Sequence, residues 1–347
     1  FVLTCLGLGI AAAAPLFEEQ DLFARGDHNI AEYRIPGLIT TDKGTLLAVC
    51  DARVSKPGDQ PNNIDLALRR SSDGGKTWSP VQFIADYPGN ESAADPCILQ
   101  DRQTGTIWVF FAYGPEGIGT LESQPGWTGP TFQYQCVTSD DDGKTWSNPR
   151  DITPMVKDKT WNAFWPGPGR GTQLRSGRLI IPSTRYQKGG KPEWSTFVIY
   201  SDDHGKTWQT SAMAGQGTSE SQLVEREDGS LLLNMRYEVG GKGCRVISTS
   251  SDGGKTWTPQ TDAKNLVEPV CQASMIRLST KANDGRNRLL FSNPASSTAR
   301  ECMTVRVSYD EGKTWPVSKT VYDGPGAYSC MTVLPDGTIG LLYERGQ

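Results

Sequence analysis

The phrase S-x-D-x-G-K-T-W occurs five times in this chain: SSDGGKTW at 71–78 and 250–257, SDDDGKTW at 139–146, SDDHGKTW at 201–208 and SYDEGKTW at 308–315. Each copy follows a β-rich run, as in LALRR, YQCVT, FVIY, RVIST and TVRVS. The glycine permits positive φ and the aspartate bonds nearby backbone, so each box predicts a tight hairpin corner, with the tryptophan folding back on the strand it has left. A second pattern interleaves with the first. A Gly-centred turn precedes an apolar run at DKGTLLAV (42–49), QTGTIWVF (103–110), RSGRLIIP (175–182), EDGSLLLN (227–234), DGRNRLLF (284–291) and PDGTIGLL (335–342). The boxes start roughly 50 to 70 residues apart, the size of a unit with several strands. Six turn–strand copies therefore predict an all-β, six-bladed β-propeller. No long helical periodicity competes. The five boxes are alike and fall on different blades, whereas a catalytic site needs different residues converging on one point, so the boxes read as architecture.

Composition bounds the chemistry. The chain has 347 residues, 36% hydrophobic and 21% charged, ample for a large core. A net charge of -4 argues against a nucleic-acid-binding surface. The only histidines are His28 and His204, which leaves little for a histidine metal site or a serine–histidine triad. Acid–base work then falls to carboxylates, tyrosine, lysine or cysteine.

The opening stretch, FVLTCLGLGIAAAAPLF, is apolar and ends in alanines before Pro15. It predicts a signal-peptide-like segment over residues 1–15, too short for a comfortable membrane span, followed by one catalytic propeller domain over 16–347. That places the protein outside the cytoplasm, secreted or periplasmic, or lysosomal in a eukaryotic source. Cys5 would leave with the leader; the other seven cysteines are odd in number and lack C-x-x-C spacing, so at least one is unpaired.

The ends of the apolar runs carry the informative polar groups: Asp51-Ala-Arg53, Ser183-Thr-Arg185, Arg236-Tyr237, Ser292-Asn293 and Tyr343-Glu344. Equivalent strand ends on successive blades surround one mouth of the central channel. Arginines gathered there on an acidic protein predict a small anionic ligand, and the planar guanidinium fork suits a carboxylate.

The sequence YRIP at 33–36, followed by boxes in this order, resembles the non-viral exo-α-sialidases over nearly all of residues 20–347. The resemblance implies hydrolysis of terminal α-linked sialic acids on sialylated glycans, with retention of configuration and no metal or cofactor. It assigns carboxylate clamping to Arg34 in YRIP, Arg236 in LLLNMR and Arg300 in SSTAREC, with Glu344 in LLYERG bracing the first. It makes Asp59 in PGDQP the loop acid/base and pairs Glu220 in TSESQ with the nucleophile Tyr328 in GAYSC. Arg53 and Asp95 match positions in the sugar pocket. A tyrosine nucleophile has a chemical reason. Sialic acid carries a carboxylate on its anomeric carbon, and a neutral phenol approaches it without like-charge repulsion. In the family further strands follow the segment LLYERG, so the last blade is expected to be short of strands here. Transfer of the sugar, to an acceptor or within itself, would use the same residues, with Trp127, Trp161, Trp165 and Trp194 as candidates for an acceptor wall. A propeller that only binds is the remaining alternative.

Overall fold

The computed structural model describes residues 2–6, 17–191 and 193–346, with side chains from Phe17 onward. Six antiparallel sheets follow one another along the chain. The first runs outward through Glu32–Thr40, Leu46–Arg53, Ile64–Ser71 and Gln82–Ala85. The second comprises Ser92–Gln100, Ile107–Gly114, Gln133–Ser139 and Arg150–Asp151. In the third, Ala163–Pro166 and Thr172–Gln173 form a broken inner strand against Leu179–Tyr186, which pairs with Trp194–Ser201. The fourth is Thr218–Glu225, Leu231–Tyr237, Cys244–Ser250 and Thr261–Val267. The fifth contains Ser274–Ser279, Arg288–Pro294 and Glu301–Ser308. The long strand Val317–Val333 closes the fifth sheet with its first part and opens the sixth with its second, where it pairs with Ile339–Arg345.

All six apolar runs after a turn form the second strand of their sheet. In the first sheet every residue of that strand is buried. The first sheet is bonded to the sixth: the Leu38 amide donates to Cys330 Sγ (3.2 Å) and the Thr40 amide to Thr332 Oγ1 (2.9 Å). The fold is a six-bladed β-propeller.

The last sheet corrects one expectation. Among the described residues it has four strands, because Val2–Leu6 pairs with Ile339–Arg345 and with Phe17–Asp21. The rest of the leader-like segment, residue 1 and residues 7–15, lies outside the described residues. The seven cysteines from Cys50 to Cys330 are all free thiols. Among the described residues no helix is long and apolar enough to cross a membrane.

The boxes behave as architecture. In the fourth sheet's box, Asp252 accepts from the Thr256 amide (3.0 Å), the Thr256 hydroxyl (2.6 Å) and the Ser250 hydroxyl (2.8 Å), while Ser250 Oγ accepts from the Gly254 amide (2.9 Å). The box glycine also has a tertiary reason. At Gly254 (φ 88°) a Cβ would lie 2.6 Å from Ile180 Cδ1, on the second strand of the preceding sheet. At Gly312 a Cβ would meet Leu232 Cδ2 at 2.6 Å, again on the second strand of the sheet before. Each box therefore shapes a corner and seats it on the neighbouring blade. The box tryptophans complete the seam: Trp208 is buried in a cluster with Trp108 and Phe110 of the second sheet.

Candidate active site

An inner strand with an unbroken period of two would point only alternate residues into the channel. Four inner strands break that period where the candidate residues stand. Their pairing shifts between Arg34 and Gly37, Ala94 and Cys97, Thr218 and Ser221, and Gly326 and Ser329. These bulges bracket Arg34, Asp95, Glu220 and Tyr328, and a bulge re-aims the side chain it carries. Two involve strained backbone. Ile35 (φ 62°) and Asp95 (φ 60°) have positive φ, rare for non-glycine residues and costly for a β-branched one. Both precede a proline, Pro36 and Pro96.

The result is a cavity of about 210 Å³ at one mouth of the channel. Its walls include Arg34, Arg53, Asp59, Asp95, Glu220, Arg236, Arg300 and Tyr328. Glu344 stands behind them, buried. Its carboxylate takes Arg34 in a two-pronged ion pair (Nε 3.2 Å, Nη2 2.9 Å) and accepts from the amides of Ile35 (2.8 Å) and Tyr328 (3.2 Å). Burial alone would raise its pKa, but the Arg34 charge and these hydrogen bonds hold it below the ordinary value. Glu344 thus fixes both Arg34 and the backbone of Tyr328.

Tyr328 is the centre of the site. Its hydroxyl donates a very short hydrogen bond to Glu220 Oε1 and accepts from Arg236 Nη1 (2.9 Å). The same Arg236 nitrogen donates to Glu220 Oε2 (2.7 Å). The guanidinium of Arg34 lies 5.1 Å from the Tyr328 ring centre and that of Arg300 lies 5.6 Å from it. Burial and then the Glu220 charge push the phenol pKa well above 10, with the three arginines opposing. The phenol is neutral at rest and surrounded by cations that would favour its oxygen as negative charge develops. Arg34 and Arg236 have carboxylate partners. The hydrogen bond Arg300 makes is to the Val270 carbonyl (3.0 Å), so its charge is available to an incoming anion.

The opposite wall is acidic. Asp59 has a side chain 79% exposed on its loop and pairs with Arg53 Nη2 (2.5 Å). Arg53 also donates to the Pro57 carbonyl (2.7 Å), which ties the loop to the strand. Beneath lies Asp51, which accepts from the Asp95 amide (3.0 Å) and lies 3.5 Å from Arg53 Nη2. Burial pushes the Asp51 carboxyl up to about 7, against the pull of Arg53. Burial, then the charge of Asp51, raises Asp95 as well.

All nine sequence-predicted site residues are brought together, eight on the cavity wall and Glu344 behind it. Other residues join them. Asp51 faces the cavity two positions before Arg53, and Glu238, two positions after Arg236, pairs with it (2.9 Å). The period-two spacing from each arginine was the signal that could have found both. Trp165 and Trp194 form an edge-to-face pair on the wall, with ring centres 5.5 Å apart. Trp161 is buried in the core. Trp127 is outside the cavity wall, its indole N–H donating to the Lys157 carbonyl (2.8 Å). Arg185 ends its strand as expected but lies over Trp161 and does not line the cavity.

A family model described as a BNR repeat-like domain matches residues 44–341. A sialidase of Bacteroides fragilis is 40% identical over 92% of this chain and 61% of its own length. One of Micromonospora viridifaciens is 42% identical over 96% of this chain and 53% of its own. Sialidase-2 of Cricetulus griseus is 31% identical over 96% of this chain and 93% of its own length. The chain belongs to the sialidase family. It spans somewhat over half the length of the two bacterial sialidases. Among solved structures, a Hadza microbial sialidase superposes with a TM-score of 0.86 at 39% identity, covering 92% of this chain and 64% of that one. A leech intramolecular trans-sialidase shares the fold, with a TM-score of 0.83 at 24% identity over 93% of this chain and 66% of that one.

Proposed function

We propose that this member of the sialidase family is an exo-α-sialidase. It would remove terminal α-linked sialic acids from glycoproteins, glycolipids and oligosaccharides. The observation that carries the reading is the Tyr328 hydroxyl, bonded to both Glu220 and Arg236 among three arginines. Arg34, Arg236 and Arg300 hold the sugar carboxylate and present the anomeric carbon to the phenol oxygen. As Tyr328 attacks, Glu220 takes the phenolic proton and Asp59 protonates the departing glycosidic oxygen. The tyrosyl–sugar bond then breaks as water, deprotonated by Asp59, attacks the same carbon, and Glu220 returns its proton to the phenol. Two inversions give net retention of the α configuration. Arg53 and Asp95 line the sugar side of the pocket, with Asp51 holding both in place. The catalytic unit would be the propeller, acting outside the cytoplasm.

Proteins of the same fold bind ligands in keeping with this reading: the leech enzyme holds 2,7-anhydro-Neu5Ac, in a complex prepared by soaking with 3'-sialyllactose, and a Trypanosoma rangeli sialidase holds the inhibitor DANA. The test is proton NMR of the first product from 3'-sialyllactose. α-Sialic acid appearing before its β anomer supports retaining hydrolysis. An anhydro sugar or a transferred sialoside would replace hydrolysis with intramolecular or intermolecular transfer, and absence of any product would leave a binding propeller.

A further inference from the structure

The channel has a second mouth, and it too is a cavity. Its volume is about 430 Å³, and the final residues of all six inner strands reach it: Thr40, Gln100, Gln173, Glu225, Ser279 and Val333. The site at Tyr328 uses the opposite ends of the same strands. The two cavities therefore open at opposite faces of the ring.

The far cavity is rich in arginine. Arg102, Arg170, Arg175 and Arg277 line it, against Asp42 and Glu225. Two of the four are satisfied: Arg175 pairs with Glu225 (3.3 Å) and Arg277 with Glu311 (2.5 Å). The other two have no carboxylate within ion-pairing distance among the described residues. Arg102 reaches only Gln173, by Nη2 to its carbonyl (3.1 Å) and Nε to its side chain (3.4 Å). Arg170 makes one long hydrogen bond, from Nη1 to the Met331 carbonyl (3.4 Å). Its guanidinium protrudes from Gly169–Arg170, a short strand paired with Cys97 and Ile98 at the centre of the ring. Arg170 is half-buried, and desolvation of its guanidinium holds its pKa below the ordinary value, with Cys330 opposing and the neighbouring Arg102 charge adding to the shift. Holding a cation there without a counter-charge is costly, and a bound anion would return that cost. The hydroxyls of Thr172 and Thr280 line the same wall and can donate.

We infer that the far mouth of the channel is a second anion-binding site, built by Arg102 and Arg170 for a compact divalent oxyanion of the phosphate class. Two forked guanidiniums suit an oxyanion with several equivalent oxygens. The cavity leaves room for a sugar attached to it, so inorganic phosphate and a hexose phosphate are the two natural sources. The site is independent of the sialidase reading, because none of its residues touches the Tyr328 pocket.

The experiment is thermal melting of the full chain in phosphate, against chloride at equal ionic strength. Millimolar affinity would give a rise of roughly 2 °C at 20 mM phosphate. Arg170→Met should abolish the rise, and in chloride alone should melt no lower than wild type, because it removes an uncompensated cation. Arg102→Gln gives the same test should Arg170→Met fold poorly. Arg300→Gln should keep the rise, since it alters the other mouth. A larger rise with glucose 6-phosphate than with phosphate assigns the sugar-linked source, and an equal or smaller one the free ion. The inference is overturned if wild type shows no phosphate-specific rise. It is also overturned if the rise survives Arg170→Met and Arg102→Gln, or disappears in Arg300→Gln.

Discussion

Replacing Glu220 by glutamine changes one oxygen for an amide nitrogen of similar size, yet it should remove most of the catalytic rate. In the proposed mechanism the phenol gives its proton to Glu220 as it attacks. Without that acceptor, only phenol already ionised can react. A phenol of ordinary pKa about 10 is ionised to about one part in 10³ at pH 7. Tyr328 starts higher still, held there by burial and by Glu220 itself. The substitution removes the Glu220 part of that push and leaves three arginines around the ring, so about 10³ is the right scale. It corresponds to about 4 kcal/mol of barrier. The dependence on pH gives the sharper signature. Between pH 7 and 9 the variant's kcat should climb about tenfold per pH unit, because each unit ionises about tenfold more phenol. Arg236 keeps Glu238 as a partner, so affinity for an unsaturated sialic acid analogue should change little. The assay is kcat on an aryl sialoside from pH 6 to 9, with inhibitor affinity and a melting curve for each protein. A Glu220→Gln enzyme within tenfold of wild type at pH 7, or with a flat pH profile, would refute the assignment of Glu220 as the base.

Other outcomes follow from the same geometry. Asp59→Ala should lose most of a general acid's 10²–10⁴-fold on sialyllactose and much less on an aryl sialoside, whose phenolate leaves unaided; equal losses on both would remove Asp59 as the acid. Asp252→Ala deletes the acceptor for Thr256 and Ser250 and should cost about 1–2 kcal/mol of stability while activity per folded molecule is kept; an unchanged melting temperature with lost activity would contradict the architectural role of the boxes. Lys157 is buried, its ammonium bonded to the Asn162 carbonyl (2.8 Å), and burial lowers its pKa to about 7. A depressed lysine penalises folding fully below its folded pKa, and the penalty fades as pH rises from about 7 towards the unfolded value near 10.4. Lys157→Met should therefore melt higher than wild type at pH 6 and lose that advantage by pH 10, and an advantage that does not vary with pH would show that Lys157 stays charged.

The fold was largely legible because its repeat is punctuated. Gly and Asp mark the corners, and the six apolar runs between them became the six second strands. The inner strands were harder to read. Arg34, Asp95, Glu220 and Tyr328 stand at bulges, where the period of two fails, so periodicity alone could not say that they face the channel. They were found by resemblance. Arg185 shows the converse: its strand end is equivalent to that of Arg236, but its guanidinium packs on Trp161. Asp51 was visible as a polar strand end two positions before Arg53, but its burial and the rise of its carboxyl to about 7 come from tertiary packing that no local pattern shows. The outer strands of the last sheet were harder to read, since Val2–Leu6 has the apolar character of a leader and pairs with residues at the far end of the chain.

The central claim is that the Tyr328 oxygen forms a bond to the sugar. A 3-fluorosialyl fluoride tests it directly, because the ring fluorine slows both displacements and the fluoride leaving group needs little help from an acid. After brief exposure, the intact protein should gain the mass of one fluorosialyl group, and peptide mass spectrometry should place it on Tyr328. Tyr328→Phe should gain none. A label carried by Glu220 or Asp59, or the same label on the Tyr328→Phe protein, would contradict the account.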